Sequence, residues 1–233
     1  MLIGIIGAMH EEVEALKNEM LISGELHKAQ MHFLKGVLWG RDVVVVVSGV
    51  GKVNAAICTQ ILIDDFAVDS VINVGVAGGV SPDVSPGDIV VGTSLIQHDV
   101  DTTMFGERLG QIPRLDTFDF KSDSDMITKM EHADLGDGIK VVKGIIVSGD
   151  QFISSPEKAK FLVDTFDAKA TEMEGASIAH TAYLNKKPFV VIRSISDNAG
   201  TGANIEFDKF ILTAVDNSIK ILKILLSHDQ KTS

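Results

Sequence analysis

The chain has 233 residues, 45% of them hydrophobic and 23% charged, with a formal net charge of −11. That apolar share can bury a core without a staple and excludes disorder along the whole chain. The acidic balance argues against a nucleic-acid partner and an anionic membrane surface, and the single cysteine, Cys58, excludes an internal disulfide framework or a Cys-rich metal site.

Leu2–Ile6 reads as a strand and His10–Met20 as a helix. The apolar run Leu2–Met9 is shorter than the roughly 20 residues of a membrane span. It lacks a basic flank and runs straight into Glu11, Glu12 and Glu14, so it does not read as a signal peptide and the expectation is a cytoplasmic protein. Met31–Leu38 and Asp42–Ser48 read as paired strands joined by Trp39-Gly40-Arg41. Val53–Phe66 has helical spacing, and Ser70–Val74 is a strand that ends in a glycine-rich turn. Asp88–Gln97 is extended, while His98 to Phe120 shows little period and reads as a functional loop or interface arm. Ser122–Glu131 and Pro156–Thr165 are candidate helices, with Lys140–Ser148 a strand between them. Met173–Leu184 reads as a helix, Pro188–Ser196 as a buried strand and Glu206–Ser227 as a long amphipathic helix. The alternation predicts an α/β fold of three layers, with a central mixed sheet flanked by helices, in a single domain over residues 1–233.

Three motifs fail on inspection. Gly49-Val50-Gly51-Lys52 resembles part of a phosphate loop, but Val53 stands where a Ser or Thr must hold magnesium. Gly7-Ala8-Met9-His10 lacks the spaced glycines of a dinucleotide site. His98-Asp99-Val100-Asp101 offers one histidine and two acids, a weak metal pattern that reads better as a polar loop. No metal and no cofactor are expected.

In open α/β sheets, ligands bind beyond the carboxyl ends of the strands. Glu11 and Glu12 follow the first strand, Gly75-Val76-Ala77-Gly78-Gly79 follows the Ser70 strand, Glu172-Met173-Glu174 follows Ala168–Ala170, and Ser196-Asp197-Asn198 follows the Pro188 strand. Carboxylates from three segments can therefore meet beside a glycine loop. Each acid also has a plain structural reading as a residue of a first helical turn or a cap. Arg193 is harder to dismiss, because it interrupts the apolar strand Val190-Val191-Ile192-Arg193-Ser194-Ile195 and a buried arginine requires a carboxylate, with Glu172 or Glu174 as candidates.

At these residues the chain resembles the bacterial 5′-methylthioadenosine/S-adenosylhomocysteine nucleosidases of the nucleoside phosphorylase superfamily. The resemblance runs through Gly4–Met9 with Glu12, Ser48–Ala56, Asn73–Gly79, Val147–Ile153, Glu172–Glu174 and Arg193–Asp197. It implies a nucleoside phosphorylase-like fold and hydrolysis of an N-glycosidic bond, releasing adenine and a thioribose. Carried over by position, Asp197 is the acid that protonates adenine N7, and Glu12 is the base that activates water. Glu174 holds the ribose hydroxyls, with Met173 against the sugar and Glu172 close by. Phe152 stacks on adenine while the Ile153 backbone reads its edge, and Phe207 lines the 5′-alkylthio pocket. Met9, Val76, Arg193 and Ser196 complete the implied binding set. The resemblance also implies a homodimer, in which Phe105 and Pro113 reach the neighbour's pocket edge. Two positions depart from the pattern: Val76 stands where many relatives have a serine, and Glu107 where they often have an aromatic.

The implied chemistry is coherent. Cleavage passes through an oxocarbenium-like sugar, and adenine leaves readily only when its ring nitrogen takes a proton, so Asp197 must be protonated in the complex. A phosphorylase of the same superfamily is the nearest rival, but it needs arginines for the phosphate dianion, and there is none between Met1 and Met20 or in Ser70–Val74. A hydrolase of a related nucleoside such as a futalosine derivative is a second rival. A non-catalytic nucleoside sensor on the same fold is a third, against which the presence of both an acid and a base argues.

Overall fold

The computed structural model describes residues 1–131, 133–136, 138–199 and 203–227, with side chains for all of these except 203–210. In chain order the elements are β1 (Leu2–Gly7), α1 (His10–Glu19), β2 (Leu21–Lys28), β3 (Met31–Leu38), β4 (Arg41–Val47), α2 (Lys52–Phe66), β5 (Ser70–Gly79) and β6 (Ile89–Gln97). They continue with β7 (Phe120–Lys121), α3 (Ser124–Met130), β8 (Val141–Ser148), α4 (Pro156–Phe166), β9 (Ala168–Glu172), α5 (Gly175–Leu184), β10 (Phe189–Asn198) and α6 (Ala203–Ser227).

Local chemistry explains the boundaries. The valine run of β4 is stiff at χ1 and suited to a doubly covered strand. Trp39 and Gly40 take left-handed φ of 49° and 79° in the two-residue turn that leads into it. Ser155 caps α4 by accepting the Lys158 N–H at 3.1 Å, and Pro156 opens the helix. Asp123 caps α3 through the Met126 N–H at 2.9 Å. Between β6 and β7, residues 98–119 carry only a 3-10 turn over Thr103–Phe105, as their lack of period predicts.

Along the sheet the order is β10-β6-β8-β9-β5-β1-β4-β3-β2, and β10 also pairs with β5. The strands β5, β10, β6, β8 and β9 therefore close into a ring, from which β1, β4, β3 and β2 extend as an open wing. Parallel pairs join β5 to β10 and β1, and β6 to β8, while β6–β10 and β5–β9 are antiparallel. One apolar cluster fills the face under α1, α3 and α6, with Val13, Leu16, Met130 and Leu222 among its members. A second fills the opposite face under α2 and α5, around Cys58, Leu62, Ile178 and Ala182. This is the three-layer mixed-sheet arrangement expected from the alternation. No helix among the described residues is long and apolar enough to cross a membrane.

Strand β5 forks, and the fork makes the site. One edge pairs with β10 along nearly its whole length. Its other edge pairs with β1 over Ser70–Asn73, then with β9 over Gly78–Gly79. Between them, Val74–Ala77 bonds to neither β1 nor β9, and the backbone there is open to another partner.

Several expectations are corrected. Gly75–Gly79 is not a turn but the second half of β5: glycines there allow close approach of neighbouring atoms in an extended strand. Ser196, Asp197 and Asn198 belong to β10 rather than following it, and α5 starts at Gly175, so Met173 lies outside the helix. Strand β2 was not anticipated, because most of its residues face solvent and its sequence LISGELHK has no sustained apolar alternation.

Candidate active site

Glu12 occupies the gap in the β5 edge. It lies in the first turn of α1 but folds back, so Oε2 accepts the N–H groups of Ala8 at 2.6 Å and Met9 at 3.0 Å. Its Oε1 accepts the Val76 N–H at 3.1 Å, from the stretch of β5 left open by the fork. A Cβ on Gly75 would sit 2.5 Å from that oxygen, so the position requires glycine. Burial raises the carboxyl above its ordinary value, and the Arg193 charge and the three N–H donors offset part of that rise. A buried base with fixed donors on one side presents its remaining lone pairs in one direction.

Arg193 is only 1% exposed. Its Nη2 donates to Asn73 Oδ1 at 2.5 Å and to Glu172 Oε2, and lies 3.9 Å from Glu174 Oε2. Glu172 answers the requirement for a partner and is itself saturated. It accepts from the Ser148 hydroxyl and from the N–H groups of Glu174 at 3.1 Å and Gly175 at 2.8 Å, an anion at the start of α5. Glu174 is thereby held pointing away, its Oε1 accepting the Gly51 N–H at 2.8 Å from the start of α2. Burial, and then the charge of Glu172, push the Glu174 carboxyl up to about 7, against the pull of Arg193.

Asp197 owes its direction to a bulge. The β5–β10 register steps from Ile195↔Ala77 to Asp197↔Gly78, leaving Ser196 as an extra residue. Regular alternation would send Ser196 and Asp197 to opposite faces; with the bulge both line the same cavity. The Ser196 hydroxyl donates to Asp197 Oδ2 at 2.7 Å.

That cavity encloses about 180 Å³. Glu12, Glu172, Glu174 and Asp197 all line it, with Met9, Val76 and Ser196 beside them. Phe152, Ile153 and Met173 form the more apolar wall, Phe152 being 52% exposed at the mouth. Arg193 does not line the cavity but lies behind Glu172, where it sets the direction of two carboxylates; it is a positioning residue rather than a contact. Phe105, 86% exposed, and Pro113, also exposed, lie in the irregular segment and outside the cavity wall. The backbone of Phe207 is in α6, but its side chain lies outside the described residues.

Residues that the sequence reading missed are mostly backbone contributors. Gly51 stands in the discarded phosphate-loop pattern; its φ of 98° and its place before α2 aim an N–H at Glu174. Val50, Ala77, Gly78, Gln151 and Thr171 also line the wall. The segment set aside as a weak metal pattern fastens the surroundings instead. Asp99 pairs with Lys52 Nζ at 2.6 Å and accepts the Asp150 N–H at 3.0 Å, while Asp150 Oδ1 accepts the Lys52 N–H at 2.9 Å. These bonds tie the loop that carries Phe152 to the start of α2. Burial opposes the Asp99 charge, but the bonds from Lys52 and Asp150 outweigh it and hold its carboxyl low.

A closed ring with an open wing, and a carboxylate-lined cavity at the fork of a central strand, define a ligand-binding enzyme fold of the nucleoside phosphorylase type. Residues 2–227 match the phosphorylase superfamily. A 5′-methylthioadenosine/S-adenosylhomocysteine nucleosidase of Exiguobacterium is 44% identical over 225 residues, covering 95% of this chain and 96% of the relative. The Neisseria meningitidis enzyme of that name, solved in complex with methylthio-immucillin-A, superimposes with a TM-score of 0.92 at 40% identity, covering 97% of this chain and 98% of its own. The Colwellia psychrerythraea enzyme, solved with adenine, gives a TM-score of 0.93 at 41% identity, with 97% and 95% covered. The chain belongs to the 5′-methylthioadenosine/S-adenosylhomocysteine nucleosidase family within that superfamily.

Two measurements test this electrostatic reading. Arg193→Met, which removes the guanidinium but keeps much of its bulk, strands Glu172 against Glu174 and lowers stability by about 3–5 kcal/mol in denaturant titration. Glu174→Gln gives a pH signature. The native Glu174 carboxyl, raised from 4.5 to about 7, binds a proton more readily than its unfolded form, so it favours folding below the unfolded value and loses that contribution as pH rises to 7. The melting temperature of Glu174→Gln relative to the unaltered chain therefore climbs between pH 5 and 8; a constant difference contradicts the raised carboxyl.

Proposed function

We propose that this chain hydrolyses the N-glycosidic bond of 5′-methylthioadenosine and S-adenosylhomocysteine, releasing adenine and the corresponding 5-thioribose. The observation that carries the reading is the cavity itself: four carboxylates from three segments line it, and among the described residues no lysine or arginine does. A phosphate dianion finds no cation there, whereas water and a sugar acquiring positive charge both suit a carboxylate-rich wall.

In the proposed reaction Asp197 delivers a proton to adenine N7 as the glycosidic bond lengthens, turning adenine into a neutral leaving group. The bulge and the Ser196 hydroxyl support that role by setting the direction of its carboxyl. Glu12 takes a proton from the water that adds to C1′; its three N–H donors fix the carboxylate, and its raised pKa makes it a stronger base than an exposed glutamate. Glu174 accepts from the ribose hydroxyls, with Met173 against the sugar ring and Glu172 relaying the charge of Arg193 behind it. Phe152 stacks on adenine, Ile153 offers backbone to its edge, and Met9, Val76 and Ser196 complete the walls. Val76 supplies no hydroxyl, so the sugar contact that a serine makes there is absent.

We also place the 5′-substituent at the end of the cavity bordered by a second copy of the chain. The supporting observation is the exposure of Met104 at 94% and Phe105 at 86% on the 3-10 turn, two large apolar side chains with no cover in the protomer. Phe105 and Pro113 then form the edge of the neighbour's pocket.

Incubation with each nucleoside in phosphate-free buffer releases free adenine, followed by chromatography, and phosphate in a parallel tube changes neither rate nor products. Release that depends on phosphate, with a sugar 1-phosphate as co-product, identifies a phosphorylase and removes the role given to Glu12. Asp197→Asn and Glu12→Gln each fold normally and lower kcat by about 10²–10⁴-fold; near-full turnover in either removes that residue's role. Sedimentation at micromolar concentration gives twice the 25.0 kDa chain mass, whereas a stable monomer contradicts the shared pocket.

A further inference from the structure

We propose that Glu25, His27 and His32 form a site for a divalent transition-metal ion of the zinc type on the outer face of the β2–β3 hairpin. The hairpin lies at the free edge of the sheet wing, in no contact with the cavity. Ala29 and Gln30 join the strands with φ of 51° and 60°, a tight left-handed turn made without glycine. It sets His27 directly opposite His32, and Glu25 two residues back on the same face as His27. The two rings stack with centroids 4.0 Å apart, and His32 Nε2 lies 2.8 Å from Glu25 Oε2. Among the described residues this is one group of three whose ligand atoms, one from each side chain, lie within 4.8 Å of one another.

The opposite face of the hairpin does the packing. Met31 and Phe33 are buried in the cluster beneath α2, Leu26 packs against it, and Lys28 pairs with Asp65 of α2 at 2.7 Å. Glu25, His27 and His32 are thus not needed to hold the strands in place, and their side chains are free to reorient around an ion. Two imidazole nitrogens and a carboxylate are a borderline donor set that suits zinc or cobalt better than magnesium or calcium, which prefer oxygen. Three protein ligands leave a fourth tetrahedral position to water. Bound there, the ion links β2 to β3 across a strained turn, on a strand with little burial of its own, so the expected consequence is a firmer sheet edge rather than altered catalysis.

The test uses the full chain after dialysis against a chelator. Zinc titrated by calorimetry binds at one site per chain, and cobalt gives the visible absorption of a tetrahedral complex. At a hundredfold excess over Kd, zinc raises the melting temperature by about 5–10 °C. His27→Gln and His32→Gln each weaken zinc binding by at least about tenfold and abolish the tetrahedral cobalt spectrum, and Glu25→Gln weakens it less. All three keep the melting temperature of the unaltered chain in chelator, and their adenine release is unchanged. Zinc affinity that survives both histidine variants places the ion elsewhere and overturns the proposal. So does the absence of saturable binding up to about 1 mM zinc.

Discussion

A guanidinium sealed inside the sheet is the constraint around which the cavity is arranged. Burial alone would weaken the charge of Arg193, yet the carboxylates of Glu172, Glu174 and Glu12 outweigh that and hold it firmly protonated. The ion spends its direct bonds on Glu172 and Asn73, and is itself not part of the cavity lining. Glu172 in turn binds the Ser148 hydroxyl and the first N–H groups of α5, so β8, β9, β10 and α5 are fastened at one point. Glu174, two residues on, inherits its direction from that knot. A hydrophobic residue at 193 would pack as well, but it would leave two glutamates facing each other in low dielectric.

The second device is backbone geometry. A strand that changes partner halfway along one edge exposes peptide groups which the sheet leaves unbonded, and such groups need a partner when buried. The open stretch of β5 finds one in Glu12, whose carboxylate thereby becomes part of the sheet's hydrogen bonding as well as of the cavity wall. The bulge in β10 does a similar job for Asp197, turning two consecutive side chains inward. Both devices lie at the carboxyl ends of parallel strands, where open α/β sheets bind ligands.

Much of this was legible in the residues, and what was not has physical reasons. Arg193 within an apolar strand announced a buried ion pair, and the acids beyond three strands announced a shared wall. Both readings follow from burial and alternation, which are local in sequence. The glycines of β5 were misread as a turn because glycine marks any close approach, whether of a turn or of another side chain. Here that side chain is Glu12, 63 residues away from Gly75 in sequence. Gly51 was passed over because its contribution is an N–H, identical in every residue type and visible only once φ is known. Strand β2 escaped because an edge strand with one packed face and a bulge carries no clean period; even its hairpin turn, Ala29-Gln30, lacks the usual Asn-Gly signal.

Charge balance ties these elements to the proposed chemistry. Glu12, Glu172 and Glu174 face a single guanidinium, so the buried cluster holds more acid than base. Burial is the main reason that Glu12 and Glu174 both titrate high; the charge of Glu172 adds to it for Glu174, while Arg193 pulls both back and itself stays charged. In the proposed reaction a sugar that becomes positive as adenine departs supplies the countercharge at the transition state and at no earlier stage. Interactions that strengthen only then lower the barrier rather than merely tightening substrate binding. The same excess of negative charge opposes entry of a phosphate dianion. In the proposed reaction, a wall that rejects the rival nucleophile and favours the cationic sugar thus follows from a single arginine serving three glutamates.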